Sequence, residues 1–196
     1  MLRWPGVRLA VLLATLAAAC AHAPPPPPSA PPASAFTPEE QRALAGTWRY
    51  GGDPVEEAAL ELGIQRSVSG LFALAQGIAA DSLRAHVGPR PEVTVAFEGN
   101  RVRITSPGET LEEGTLDGPA VLLTNRFGDE TQTTFRIEQG SLVERGTSSG
   151  GSGVTTFTAD PDGQTLRVLR RVESDQLSAP LQVTYTYRRK PGANSS

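Results

Sequence analysis

Glu92-Val93-Thr94-Val95-Ala96-Phe97-Glu98-Gly99-Asn100-Arg101-Val102-Arg103-Ile104 decides the fold of this chain. Val93, Val95 and Phe97 alternate with smaller or polar neighbours, and Val102 and Ile104 resume the alternation after a break. A side-chain period of two belongs to a strand with one buried face. Gly99-Asn100 sits between the two runs and supplies a hairpin turn. The stretch therefore predicts two antiparallel strands.

The alternation continues to the end of the chain. Further strands are predicted at Leu111 to Leu116, Ala120 to Thr124, Thr131 to Glu138, Leu142 to Thr147, Val154 to Thr158, Thr165 to Val172 and Leu181 to Arg189. Glu138-Gln139-Gly140-Ser141 and Asp160-Pro161-Asp162-Gly163 read as hairpin turns. A first strand runs from Thr47 to about Gly51. About eight to ten short strands with short connections describe an antiparallel meander. Closing the meander into a barrel removes its exposed edges.

Between the first strand and Glu92 the composition is helical. Thr37-Pro38-Glu39-Glu40 carries the cap, first-turn proline and acidic third residue of a short helix start, and Asp53-Pro54 repeats the cap and proline. From Val55 to His86 the apolar stripe changes sides. Val55, Ala58, Ala59 and Leu62 share one face. Ile64, Val68, Leu71, Ala75, Ile78, Ala79 and Ser82 share another, with Phe72 at its edge. One straight helix cannot keep both faces consistent, so two helices joined near Gly63 are expected over 54–86. The second stripe needs burial and is expected to cover the barrel. Arg66, Gln76 and Asp81 interrupt it and weigh against a membrane span.

Gly46-Thr47-Trp48 on the first strand resembles the G-x-W signature of the lipocalin and fatty-acid-binding-protein superfamily. The fold expected from the resemblance is mainly β: an antiparallel lipocalin-like barrel with a helical insertion between its first and second strands. In such barrels the tryptophan closes one end beneath an arginine of the last strand. Arg188, in Tyr185-Thr186-Tyr187-Arg188-Arg189, is the expected counterpart, with Arg189 second. A guanidinium can stack on an indole and keep its hydrogen bonds. The helical pair is similar to the lid of the fatty-acid-binding branch. The last strand lacks the Arg-x-Tyr pair with which many intracellular fatty-acid carriers hold a carboxylate, so fatty acid does not follow as the ligand. The middle lipocalin motif of the Thr-Asp-Tyr kind has no match either.

The N-terminus carries a separate message. Arg3 and Arg8 are the only charges before Cys20, Leu9 to Ala19 is apolar apart from Thr15, and Ala18-Ala19 precede the cysteine. A basic start, a short apolar core and small residues before a cut mark an export signal. The ending resembles a bacterial lipoprotein signal, with leucine replaced by Ala17. The resemblance implies acylation of Cys20, and several acyl chains at about 0.8 kcal/mol per buried methylene anchor stably. An ordinary cut after Ala-x-Ala would instead leave a soluble periplasmic protein. Cys20 is the sole cysteine, so no internal disulfide forms. Eight of the eighteen residues from Ala21 to Pro38 are proline. Such a tract is extended, about 3.1 Å per residue, and reads as a tether. The expected organisation is a signal over 1–19, anchor and tether over 20–40, the barrel domain over 41–190 and a disordered tail over 191–196. Ala21 is not the aspartate associated with inner-membrane retention, so the outer membrane, facing periplasm or cell surface, is the expected location.

Arg3 and Arg8 account for two of 18 basic side chains; 16 against 21 acidic ones give the remainder a formal net charge of −5. That balance argues against general nucleic-acid binding. No phosphate loop or dinucleotide fingerprint occurs, and neither cofactor nor metal site is expected. His22 beside Cys20 would leave most of a coordination shell empty. His86 and Ser82 lie one turn apart, but a helix-end histidine is the expected role. Gly150-Gly151-Ser152-Gly153 is expected to be a flexible hairpin end. Arg167 and Arg171 share one strand face and Arg170 the other, all three expected as surface charges. No catalytic constellation emerges. The expected function is a membrane-anchored barrel binding an apolar or amphipathic small molecule; the alternative is a structural or interaction lipoprotein with a filled interior.

Overall fold

The computed structural model describes residues 36–107, 109–124 and 130–191. The signal, Cys20 and nearly all of the tether and tail lie outside these residues.

Helix α1 (Pro38–Leu44) starts as its sequence dictates. Thr37 and Glu40 form a reciprocal capping box, with Pro38 in the first turn. Leu44 is fully buried and delivers the chain to strand β1 (Gly46–Tyr50). Helices α2 (Pro54–Val68) and α3 (Ala73–Val87) follow. Nine strands complete the domain: β2 (Glu92–Glu98), β3 (Arg101–Ser106), β4 (Glu109–Thr115), β5 (Val121–Thr124), β6 (Glu130–Glu138), β7 (Ser141–Ser148), β8 (Gly151–Ala159), β9 (Thr165–Glu173) and β10 (Leu181–Arg189).

All ten strands form one antiparallel sheet in the order β4-β3-β2-β1-β10-β9-β8-β7-β6-β5. Chain neighbours pair throughout, and β1 joins β10, so first and last strands lie side by side. The sheet curls into a nearly closed barrel whose two edges are β4 and β5. A bridge between Leu116 and Phe135, and the Asp117 amide donating to the Phe135 carbonyl oxygen at 2.8 Å, link the end of β4 to β6 across that gap. Gly114 allows the approach: a Cβ there would strike the Phe135 ring.

The helical insertion differs from its sequence reading in where it breaks. Helix α2 continues through Gly63, and the chain turns at Ser69–Phe72. Leu60, Ile64, Ser67 and Val68 form its buried face, at helical spacing. Val55, Ala58, Ala59 and Leu62 face solvent instead of the core. Gly63 is where the helix passes closest to β10, for a Cβ there would lie 2.7 Å from Leu181 Cδ1. The glycine serves close packing, not a kink.

Helix α2 runs beside β10 beyond the point where β1 stops. Glu56 accepts from the Thr186 amide at 3.1 Å and from Thr186 Oγ1 at 2.6 Å. The Ser178 amide donates to the Ser67 carbonyl oxygen at 2.8 Å. The helix thus satisfies backbone groups that a strand would otherwise have to pair. Arg84 of α3 forks onto both carboxylate oxygens of Glu61 at 2.7 Å and joins the two helices. No helix among the described residues is long and apolar enough to cross a membrane.

Gly151-Ser152-Gly153 belongs to β8, paired with β7 and β9, so only the start of the glycine-rich run is a turn.

Candidate functional site: a polar belt inside the barrel

Strand register sorts the inward-facing side chains into successive rows. The row at the closed end pairs Trp48 with Arg189. Trp48 is fully buried, and its Nε1 donates to the Leu44 carbonyl oxygen at 3.1 Å. The arginine over the indole is Arg189, with its Cζ 4.1 Å from the ring centroid. Arg188 was the expected partner, but it points outward and donates to Thr165 Oγ1 at 3.4 Å. Alternation explains the correction. Leu181, Val183, Tyr185 and Tyr187 are the buried positions of β10, and Arg189 continues their parity. Gly46 has φ +138°, and a Cβ on it would collide with Arg189 Nη1, so the arginine's seat requires glycine.

The next rows are apolar or aromatic. Tyr187 pairs with Tyr50 and Leu166. Beyond it, Ile137, Leu142, Phe157, Val168 and Tyr185 pair in sequence across five strands, and all are buried. Tyr50 lies edge-on to Tyr185 with ring centroids 5.7 Å apart. Burial, with Glu56 adding to it, pushes the Tyr50 phenol up to about 12.

The following row breaks this pattern. It reads Phe135, Glu144, Thr155, Arg170, Val183 across β6 to β10. Glu144 shares the parity of Leu142, and Arg170 that of Leu166 and Val168, so both face inward. Glu112 of β4 reaches the same level from the other side of the gap and acts on Glu144. Burial, then the charge and hydrogen bonding of Glu112, holds the Glu144 carboxyl well above the usual carboxylate range, against opposing pulls from Arg170 and Thr155. Glu112 Oε2 and Arg170 Nε are buried without a hydrogen-bond partner among the described residues. Groups so placed normally find a partner.

Arg170 also grips the helical insertion. Its Nη1 donates to the His86 carbonyl oxygen at 3.2 Å and the Gly88 carbonyl oxygen at 3.5 Å, capping the C-terminus of α3. Tyr185 Oη donates to the Val87 carbonyl oxygen at 2.9 Å, and the Arg90 amide donates to Tyr187 Oη at 3.2 Å. The end of α3 is therefore seated on the inward side chains of β9 and β10. His86 Nδ1 lies 2.7 Å from the Ser82 carbonyl oxygen, a contact of a helix end.

One row further on, Thr133, Gly146, Gly153, Val172 and Leu181 pair across the sheet. The two glycines differ: a Cβ on Gly146 would lie 2.8 Å from Thr131 Cγ2, which fills that space. A Cβ on Gly153 would meet nothing nearer than the Arg171 carbonyl oxygen at 3.7 Å. The polar belt thus lies between an aromatic, apolar row and a row with room at Gly153 alone of its two glycines.

The expected lid stripe divides. Ile64 and Val68 are buried, Leu71 and Ala75 partly so. Phe72 and Ile78 are exposed, 73% and 67% of their surface. The break after Val68 turns α3 so that Ala80, Leu83 and Val87 meet the core instead. Arg170 and Glu144 were not singled out as site residues by the sequence, since an isolated strand charge reads as surface. Their parity with Val168 and Leu142 was the available signal. Cys20 lies outside the described residues.

No family model matches this sequence, and neither does any curated protein. Among solved structures, apo lipid binding protein 8 of Caenorhabditis elegans superposes with a TM-score of 0.51 at 12% identity, over 80% of this chain and 100% of that one. A secretary abundant heat soluble protein of Ramazzottius varieornatus gives a TM-score of 0.49 at 11% identity, over 76% of this chain and 96% of that one. The first of these likenesses agrees with the strand order in giving the chain the lipocalin-like, calycin type of barrel, with its helical pair between β1 and β2.

Proposed function

We propose that this protein is a lipid-anchored envelope protein whose barrel binds an apolar or amphipathic small molecule. The observation that carries the reading is the polar belt. Glu112, Glu144, Thr155 and Arg170 sit in the interior, with Glu112 Oε2 and Arg170 Nε buried and unpaired among the described residues, between an apolar row and a row that holds Gly153. A few convergent polar groups in an apolar concavity are what a small-molecule site requires. The structural relative named a lipid binding protein shares the fold, which makes interior binding the natural use of this barrel. The end of α3, held by Arg170 and Tyr185, would have to shift for a ligand to enter.

The anchor rests on the sequence: Arg3, Arg8, the apolar run, Ala18-Ala19-Cys20 and the proline tract. The outer membrane is the proposed location. Metabolic labelling with an acyl probe tests the anchor, and an unlabelled, freely soluble wild-type protein would refute it. Native mass spectrometry of protein before and after lipid extraction tests the cargo. An extractable small molecule supports carriage. An identical mass before and after extraction favours the second reading, a structural lipoprotein with a filled barrel. Complete burial of Trp48, Tyr185 and Tyr187 supports that second reading for the closed end of the interior, and that of Phe135 supports it within the belt's own row.

A further inference from the structure

Arg49 and Arg188 are direct cross-strand partners on the outer face of the β1–β10 seam, and both are exposed. The Cβ atoms of such partners stand about 4.5–5.5 Å apart, and like charges so placed work against the pairing of their strands. Elsewhere the outer face avoids this, for Arg101, Arg103, Arg145, Arg167 and Arg171 each hold a carboxylate. Among the described residues neither Arg49 nor Arg188 does, and Arg188 has the Thr165 hydroxyl at 3.4 Å instead. Glu92 lies opposite Arg49 in register, but its carboxylate accepts from Lys190 Nζ at 3.0 Å. One carboxylate against three cations leaves this group of four a net charge of +2. Two adjacent guanidiniums without a carboxylate suit an anion with several oxygens, and a phosphate can take an N–H fork from each.

The place of the pair points to the source of the phosphate. It stands one residue from Trp48 and Arg189, the row that closes the barrel. Phe36, just before α1, packs on Phe97 of β2 with ring centroids 5.3 Å apart, and β2 is the neighbour of β1. The chain therefore enters the domain at the closed end, within two strands of the pair. Fully extended, the residues between Cys20 and Phe36 reach about 50 Å, so a chain anchored at Cys20 keeps this corner within reach of lipid headgroups. We infer that Arg49 and Arg188 clamp the phosphate of an anionic phospholipid in the anchoring membrane and turn the closed end of the barrel toward it. The inference rests on the anchored reading above and adds how the domain sits on the surface. The far end of β10 then faces away from the membrane. The α2–α3 turn goes with it, because Ser178 Oγ accepts there from the Gly70 amide at 2.7 Å, and the helical cover stays free to move.

The full chain, isolated from membranes, is reconstituted into vesicles of phosphatidylcholine, or of an equal mixture with phosphatidylglycerol, and recovered by flotation. Phenylglyoxal then modifies accessible arginines, and acetylation reads Lys190, the sole lysine of the chain and two residues from Arg188. Peptide mass spectrometry gives the rate at each site. The mixed vesicles should slow modification of Arg49 and Arg188 by at least about fivefold relative to phosphatidylcholine. Arg136, exposed on β6 and four strands from β10, should keep its rate. Acetylation of Lys190 should slow as well, and the double variant Arg49→Gln, Arg188→Gln should float with the vesicles yet regain the rate seen on phosphatidylcholine. Equal slowing of Arg136 would mean diffuse attraction and overturns the clamp. Slowing of Arg66 in place of the pair would lay the helical face on the membrane and overturns it too. Protection by inorganic phosphate on phosphatidylcholine vesicles as strong as that by phosphatidylglycerol overturns the headgroup in favour of a free anion. Flotation with both vesicles and no protection overturns the clamp and leaves the anchor standing, whereas a chain that fails to float overturns both.

Discussion

Arg189 stacks over Trp48 at 4.1 Å while its guanidinium donates to the carbonyl oxygens of Ala43, Ala45 and Gly163. One side chain thus joins α1, the start of β1 and the β8–β9 turn over the barrel's closed end. A lysine cannot reproduce a planar fork that serves three carbonyls and an aromatic face. Arg189→Lys should destabilise the domain by about 2–4 kcal/mol, given charged hydrogen bonds of about 1.5–3 kcal/mol each. Arg188→Ala, on the outer face, should stay within about 0.5 kcal/mol of wild type. Urea unfolding of the two variants separates them, and the opposite ranking would show the stack to be incidental.

Trp48→Ala should cost about 3–5 kcal/mol, as truncation of a fully buried large aromatic does. The loss reaches further than the cavity, because Trp48 Nε1 also holds the Leu44 carbonyl oxygen at the end of α1. Hydrogen exchange should therefore accelerate in α1 before it does in β6 to β9. Uniform acceleration would place the tryptophan's effect in the whole core instead.

The two halves of the helical stripe should behave differently. Ile64 is 1% exposed, and Ile64→Ala should cost about 2–5 kcal/mol. Ile78 and Phe72 stand in solvent, and Ile78→Ser or Phe72→Ser should change thermal stability by no more than about 0.5 kcal/mol. A large loss from either exposed position would mean that α3 packs its apolar face in solution.

These contrasts show what the residues themselves made legible. Period-two alternation marked most strand cores, and Gly46-Thr47-Trp48 with an arginine on the last strand gave the barrel's seam. The motif's position on the last strand gives Arg188, one residue off, whereas the parity of Tyr185 and Tyr187 gives Arg189. The stripe's change of side puts the helical break at Gly63, yet that glycine answers to Leu181, a residue more than a hundred positions away. No local signal carries such a contact. The polar belt stayed hidden for the same reason: Glu112, Glu144 and Arg170 come from three separate strands, and only the closure of the sheet brings them together.

Glycines on the inner face should differ by what lies under them. Gly153 has room, so Gly153→Ala should be neutral or stabilising by up to about 1 kcal/mol, since glycine in a strand interior carries an entropic cost. Gly114 lies against the Phe135 ring, so Gly114→Ala should destabilise by about 1–3 kcal/mol through overpacking. Thermal melts of the two alanine variants test the row arrangement. A loss at Gly153 would mean that the interior beside the belt is already filled.

The last expectation concerns pH. Glu144 is held above the usual carboxylate range, first by burial and then by Glu112. The unfolded chain gives up this proton near the ordinary carboxylate value, whereas the folded protein keeps it to higher pH. Between those two values the folded state binds more protons than the unfolded one, so stability falls as pH rises through the window. Glu40, Glu61 and Glu113 are shifted the other way by Thr37, Arg84 and Arg103, and what they contribute is lost as pH falls. Their partners are on the surface, where such pairs are weak. The unfolding midpoint should therefore decline from mildly acidic toward neutral pH, and Glu144→Gln should flatten that decline and raise stability at neutral pH. Its isosteric amide cannot ionise and keeps the geometry of the row. A glutamine variant that is less stable at neutral pH, or that follows the wild-type pH profile unchanged, would show that Glu144 is ionised in the fold and that Arg170 balances it.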